Sequence, residues 1–111
     1  MDETGYIVVF TTAGSLEEAE EISEVLIKER LAACIQIIGK IRSIYIWKEN
    51  IERDEEYLCI IKTRENLYND LEGRIKELHS YEVPEIVKLG ITGGSRDYLS
   101  WLGTVVRDLR S

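Results

Sequence analysis

Residues 31–47, "LAACIQIIGKIRSIYIW", form an almost unbroken run of apolar, β-branched and aromatic residues, interrupted only at Gly39-Lys40. At ~3.3 Å per residue such a strand reaches ~50 Å, whereas an ordinary strand covers ~17–20 Å. After "KEN", the stretch "IERDEEYLCIIKT" returns as a second long strand, acidic near the turn and apolar at its root. The chain has 111 residues, the size of one domain. A sheet of that size cannot partner both strands along their whole length, so an exposed ribbon must project from it. A ribbon carrying Ile41, Ile44, Tyr45, Ile46 and Trp47 is an aggregation hazard unless something covers it. The economical cover is another copy of the chain, and these five residues are the expected subunit interface. The competing reading is that Gly39-Lys40 divides the run into two ordinary strands; a bulge or bend there keeps it as one.

The remaining elements fall around this hairpin. "YIVVFTTA", residues 6–13, reads as a central strand covered on both faces. Ser15 and Glu18 have capping-box spacing, and Leu16, Ala19, Ile22 and Leu26 repeat as on an amphipathic helix running to about Arg30. Leu67, Leu71, Ile75 and Leu78 mark a second helix, which stops before Ser80 because Pro84 pushes the residues ahead of it toward extended geometry. "PEIVKLGI" supplies a fourth strand. After Gly93-Gly94, Ser95 or Asp97 caps a last helix with Leu99, Leu102, Val106 and Leu109 on one face. The order predicts an α+β fold, a ferredoxin-like split βαβ sandwich with a long β2-β3 hairpin and a C-terminal helix. Residues 1–111 make one domain with strand order 4-1-3-2 and helices on one face, assembling with further copies of the chain through the hairpin.

Charge narrows the partners. Fourteen basic against 21 acidic residues give a net charge of -7, a field that repels phosphate backbones and anionic lipids and weakly favours cations. Nucleic acid and membranes are therefore excluded as expected partners. No apolar run nears the ~20 residues of a spanning helix, and no signal-peptide pattern opens the chain; the expected location is cytoplasmic.

The chain has two cysteines and one histidine. With Trp47 facing Ile51 across the turn, Cys59 falls opposite Gly39. Cys34 and Cys59 are then five rungs, ~16 Å, apart, beyond the ~7 Å a disulfide allows. Cys34 begins a strand at one end of the sheet and His79 leaves the second helix at the other, so a site using both needs a neighbouring subunit. Cys34 is either a small buried hydrophobe or a soft ligand suited to copper. His79 is either a cation beside helix-terminal carbonyls or a ligand. No C-x-x-C, H-E-x-x-H, G-x-S-x-G, Walker loop or G-x-G-x-x-G is present, so no catalytic residue is expected. Trp47, Tyr45 and Tyr81 could line a cleft into which Lys62 brings a charge.

The stretches "ERLAACIQII", "SIYIWKENI", "EEYLCIIKT", "ELHSYEVPEIV" and "DYLSWL", in this order and spacing, resemble the CutA family of divalent-cation tolerance proteins over essentially the whole chain. The resemblance implies a ferredoxin-like subunit, a tight homotrimer with hairpins paired between subunits, a cytosolic location and a non-enzymatic role in tolerance of divalent metals. It implies copper or another divalent ion, held by Cys34 and His79 from different chains, with no obligatory cofactor. It also places Trp47, Lys62, Tyr81 and Glu82 near the cleft between subunits. The chain departs from the family pattern at Ser80, at Gly39-Lys40 and in its glycine-free tip "WKEN". The trimer is also similar to the PII signalling proteins, which implies an alternative role as a sensor or scaffold for a small organic ligand or partner protein.

Overall fold

The computed structural model describes residues 4–108. Its elements are β1 (Tyr6–Ala13), α1 (Leu16–Lys28), β2 (Cys34–Trp47), β3 (Asn50–Arg64), α2 (Tyr68–Leu78), β4 (Ile86–Gly90) and α3 (Arg96–Val105). The four strands form one antiparallel sheet in the order β2-β3-β1-β4, the ferredoxin-like arrangement expected from the sequence.

Local chemistry sets the helix bounds. The Ser15 hydroxyl accepts the Glu18 backbone N–H at 3.1 Å and starts α1, while Ser95 does the same for α3 through Tyr98. α1 stops at Lys28, two residues before the expected Arg30, because Arg30 turns into the left-handed region with φ 61°. That reversal buries Leu31 and Ala32. α3 ends at Val105, so Val106 is buried from beyond the helix; Leu109 lies outside the described residues.

α1 and α2 lay Ala19, Ile22, Leu26, Leu71 and Ile75 on Ile7, Val9, Cys59 and Ile61 of the two central strands. The expectation that all helices share one face holds only for these two. α3 meets the alternate side chains: Arg64 donates to the Gly103 carbonyl at 2.9 Å and Lys62 Nζ stands 5.9 Å from the Tyr98 ring. Arg64 and Lys62 alternate with Thr63 and Ile61 along β3, so they point away from the buried side. On that far face Ile38, Val87 and Leu89 remain exposed.

The hairpin is one continuous ribbon with a bulge. Pairing shifts register between Gly39 and Ile41, as the bulge reading requires and the two-strand alternative does not. A Cβ on Gly39 would sit 1.9 Å from Cδ2 of Tyr57; only glycine lets this ring lie against the backbone. The turn is tighter than "KEN": Trp47 pairs with Asn50, and Lys48 and Glu49 alone make the loop with φ 52° and 70°. Two positive φ values give a turn whose twist matches the strands. The tighter turn and the bulge move Cys59 opposite Ile37 instead of Gly39. The cysteines are thus three rungs apart, ~10 Å, and both are free.

Beyond the sheet the arm stands alone, and the subunit measures 44 × 26 × 22 Å. Ile46 is 74% exposed, Ile44 63% and Ile51 61%, with Tyr45 and Trp47 also exposed. Ile41 is half-buried.

Candidate cation-binding cleft

The base of the arm and the loop that follows α2 enclose a cleft of about 720 Å³. Ser43, Tyr45 and Trp47 come to it from β2, Asp54 and Glu56 from β3, and Tyr81, Glu82 and Glu85 from the loop. Each phenol is tied to a carboxylate: Tyr81 donates to Glu56 at 2.7 Å, and Tyr45 donates to Asp54. The Asp54 bond, followed by burial, pushes the Tyr45 hydroxyl up to about 12. Burial and the Glu56 contact raise that of Tyr81 further. Among the described residues four carboxylates and no Lys or Arg border the cleft, which therefore favours cations. Lys48, next to Trp47 in the turn, holds its Nζ 5.9 Å from the Trp47 ring centroid.

His79 is the joint on which this wall hangs. Its imidazole is fully buried, with Nε2 2.6 Å from the Thr12 carbonyl and Nδ1 3.1 Å from the Tyr81 backbone nitrogen. The carbonyl can only accept and the amide can only donate, so the ring is the Nε2–H tautomer with Nδ1 as acceptor. Glu18 lies 3.6 Å from Nδ1 and also accepts the Ser80 backbone N–H at 2.8 Å. Both ring nitrogens are engaged within the subunit, and neither offers a free lone pair to a metal. Within one chain the ring is therefore held by backbone hydrogen bonds, and a metal reaching Nδ1 would have to displace the Tyr81 amide.

Cys34 lies elsewhere. It pairs with Lys62, which pairs with Val8 of β1, whereas His79 binds Thr12 four residues further along β1, ~13 Å away. The two therefore stand at opposite ends of the sheet, as expected, and do not form a site in one subunit. No three His, Cys, Asp or Glu side chains among the described residues converge closely enough to hold a metal. Lys62 also stands apart from the cleft: its Nζ donates to Gln36 Oε1 at 2.7 Å, beside Cys34. Cys34 is half-buried and, after burial itself, pushes up the Tyr98 hydroxyl pKa. The structure thus groups Trp47, Tyr81 and Glu82 in the cleft and leaves Lys62 with Cys34. Glu56, Asp54 and Glu85 are cleft residues that sequence reasoning missed; the acidic run "ERDEE" reads as solvated surface until the fold aims alternate members inward.

Fold and cleft together define a class: a ferredoxin-like subunit with a protruding apolar arm and an acidic, aromatic-lined cleft at its base. The family model described as CutA1 divalent ion tolerance protein matches residues 7–105, and the chain belongs to this family. It is 45% identical over 96 residues to the divalent-cation tolerance protein CutA of Pyrococcus horikoshii, covering 86% of this chain and 93% of the relative. It is 40% identical over 102 residues to the chloroplastic CutA protein of Arabidopsis thaliana, covering 92% of this chain but only 56% of that longer relative. Among solved structures, CutA1 from Oryza sativa superposes with a TM-score of 0.91 at 40% identity, covering 96% of this chain and 99% of that one. A structure from Archaeoglobus fulgidus, described as a periplasmic divalent cation tolerance protein, superposes with a TM-score of 0.89 at 35% identity, covering 92% of this chain and 99% of that one. Among the described residues no helix is long and apolar enough to cross a membrane.

Proposed function

We propose that this chain works as a homotrimer in divalent-cation tolerance, without catalysing a reaction, and takes its cations at clefts where subunits meet. The observation that carries the proposal is the arm. Ile44, Ile46, Ile51 and Trp47 lie exposed on a two-stranded ribbon, which in isolation is marginal in water. Covering it with equivalent surfaces of sister subunits protects both its apolar side chains and its strand edges. The acidic cleft at the root of the arm then lies at the subunit border.

For a soft ion such as copper, Cys34 is the donor this chain offers, half-buried beside Lys62 and Tyr98. Its further ligands come from outside the His79 ring, whose nitrogens are both bonded. We place the protein in the cytosol, where two unpaired cysteines ~10 Å apart stay reduced.

Native mass spectrometry with and without copper, under reducing conditions, tests assembly and uptake together. The expected spectrum is a trimer that binds three coppers and loses them in Cys34→Ser. A monomer would refute the arm argument, and copper uptake unchanged in Cys34→Ser would remove Cys34 from the site. The aromatic lining of the cleft favours a second reading, binding of an organic ligand, which is developed next.

A further inference from the structure

We infer that the cleft between the arm and the 81–85 loop is a binding site for an aliphatic polyamine, a chain of methylenes bearing several ammonium groups. This deepens the reading of the cleft as a cation site and rests on it.

The first observation is how the negative charge is spread. Asp54, Glu56, Glu82 and Glu85 border one cavity of about 720 Å³, inside the size range of small-molecule sites. A bare metal ion needs three or more ligands converging within ~2–2.6 Å of one point. Within one subunit no such convergence exists among the described residues. Charges spaced around a volume suit a ligand whose own charges are spaced likewise.

The second observation is independent of the acidic count. Tyr45, Tyr81 and Trp47 supply three aromatic rings to the same cavity. Two of these rings have their hydroxyls donating to carboxylates, which makes the rings richer in electron density and better partners for a cation above their faces. The Trp47 ring already has one ammonium near it, from Lys48 at 5.9 Å. Aromatic faces do little for a hydrated metal ion, but they pack on methylenes and on ammonium groups alike.

The third is Glu56. It is 5% exposed, and the hydrogen bond it receives comes from the neutral Tyr81 hydroxyl on Oε2. No Lys, Arg or His among the described residues lies within ion-pair range of it. A buried carboxylate without a counter-cation is costly, and an ammonium group entering the cleft supplies the missing partner. Glu82 and Glu85, exposed on the loop, are placed to meet the outer charges of the same molecule.

Titration calorimetry of the whole protein with spermidine tests the inference, with a diol of similar length as the uncharged control and Mg²⁺ as competitor. The expected result is saturable binding at one site per subunit, no heat from the diol and only partial competition by Mg²⁺. Glu56→Gln should weaken binding roughly tenfold or more, as loss of one charged contact does, and Trp47→Leu should weaken it too. Where either variant fails to fold, the paired loop variant Glu82→Gln with Glu85→Gln gives the same reading from exposed positions. No saturable heat, or affinity unchanged in these variants, would overturn the inference. So would full displacement by equimolar Mg²⁺, which would reduce the effect to surface charge. Trimer mass and copper uptake by Cys34 are read separately, so their survival alongside a failed titration would refute the polyamine site alone.

Discussion

Replacing His79 by Ala separates a structural joint from a metal ligand. The imidazole is fully buried and bridges two elements, donating to the Thr12 carbonyl at the end of β1 and accepting the Tyr81 N–H of the loop. Its removal leaves an acceptor and a donor without partners. Each unsatisfied buried group costs ~1–3 kcal/mol, with the lower figure for Tyr81, whose half-exposed backbone water can reach. Adding the two and allowing water into the space gives a loss of about 2–4 kcal/mol. His79→Asn keeps an acceptor near the Nδ1 position and His79→Gln a donor near Nε2, so each should recover part of the loss. The assay is urea unfolding followed by circular dichroism, at one fixed protein concentration so that any contribution from assembly is held constant, with EDTA and then with copper. The reasoning requires the same loss in both conditions. A change under ~0.5 kcal/mol, the range of an ordinary surface substitution, would refute it, as would a loss seen only with copper present.

Gly39→Ala drives a methyl to 1.9 Å from the Tyr57 ring, an overpacking expected to cost ~1–3 kcal/mol. A Tyr57→Leu background should recover much of it, and additive losses in that double-mutant cycle would contradict the contact. The acid limb of stability is the next check. Burial raises the Glu18 carboxyl pKa, but the Ser80 backbone N–H and hydroxyl, with smaller contributions from His79 and the Gly14 backbone, together outweigh it, and the net value is lowered. Arg74 lowers that of Glu29 through a forked contact of 2.9–3.1 Å. A carboxyl lowered by folding adds stability that is complete above its unfolded pKa and is lost as pH falls through the folded value. The melting temperature should therefore drop below the ordinary carboxylate range, and Glu18→Gln and Glu29→Gln should each flatten that drop; an unchanged acid limb in both would remove these contacts from the explanation.

Much of the fold was legible because burial leaves a period in the sequence. β1 is buried on its helix side and half-buried on the other, and its run "YIVVFTTA" coincides with Tyr6–Ala13; the helix repeats likewise located α1 and α2. The excess length of β2 and β3 announced an arm. What stayed hidden depends on single backbone conformations. Arg30, Lys48 and Glu49 adopt positive φ without being glycine, so nothing in their chemistry marked the early end of α1 or the two-residue turn. His79 reads from the sequence as a helix-terminal cation or a ligand, because the Thr12 carbonyl and Tyr81 amide that use its nitrogens come from segments the sequence does not align. Strand alternation places Lys62 with Cys34 and Gln36 on the far face, apart from the cleft formed within one chain.

The bulge at Gly39 ties the arm to the cleft. In a strand, side chains alternate, and shifting the register by one residue moves every one to the opposite face. Between Gly39, opposite Tyr57, and Ile41, opposite Glu56, β2 spends one extra residue, Lys40. That insertion places Ile41, Ser43, Tyr45 and Trp47 on the side carrying Glu56 and Asp54, so that Tyr45 can donate to Asp54. Without it, Arg42, Ile44 and Ile46 would face those carboxylates, and the aromatic rings would point to the surface where Ile44 and Ile46 now lie. One unpaired residue therefore decides which side chains of the ribbon share a face with Glu56 and Asp54 and which lie on the other. The close fit of Tyr57 over Gly39 confines that insertion to a single place in the strand.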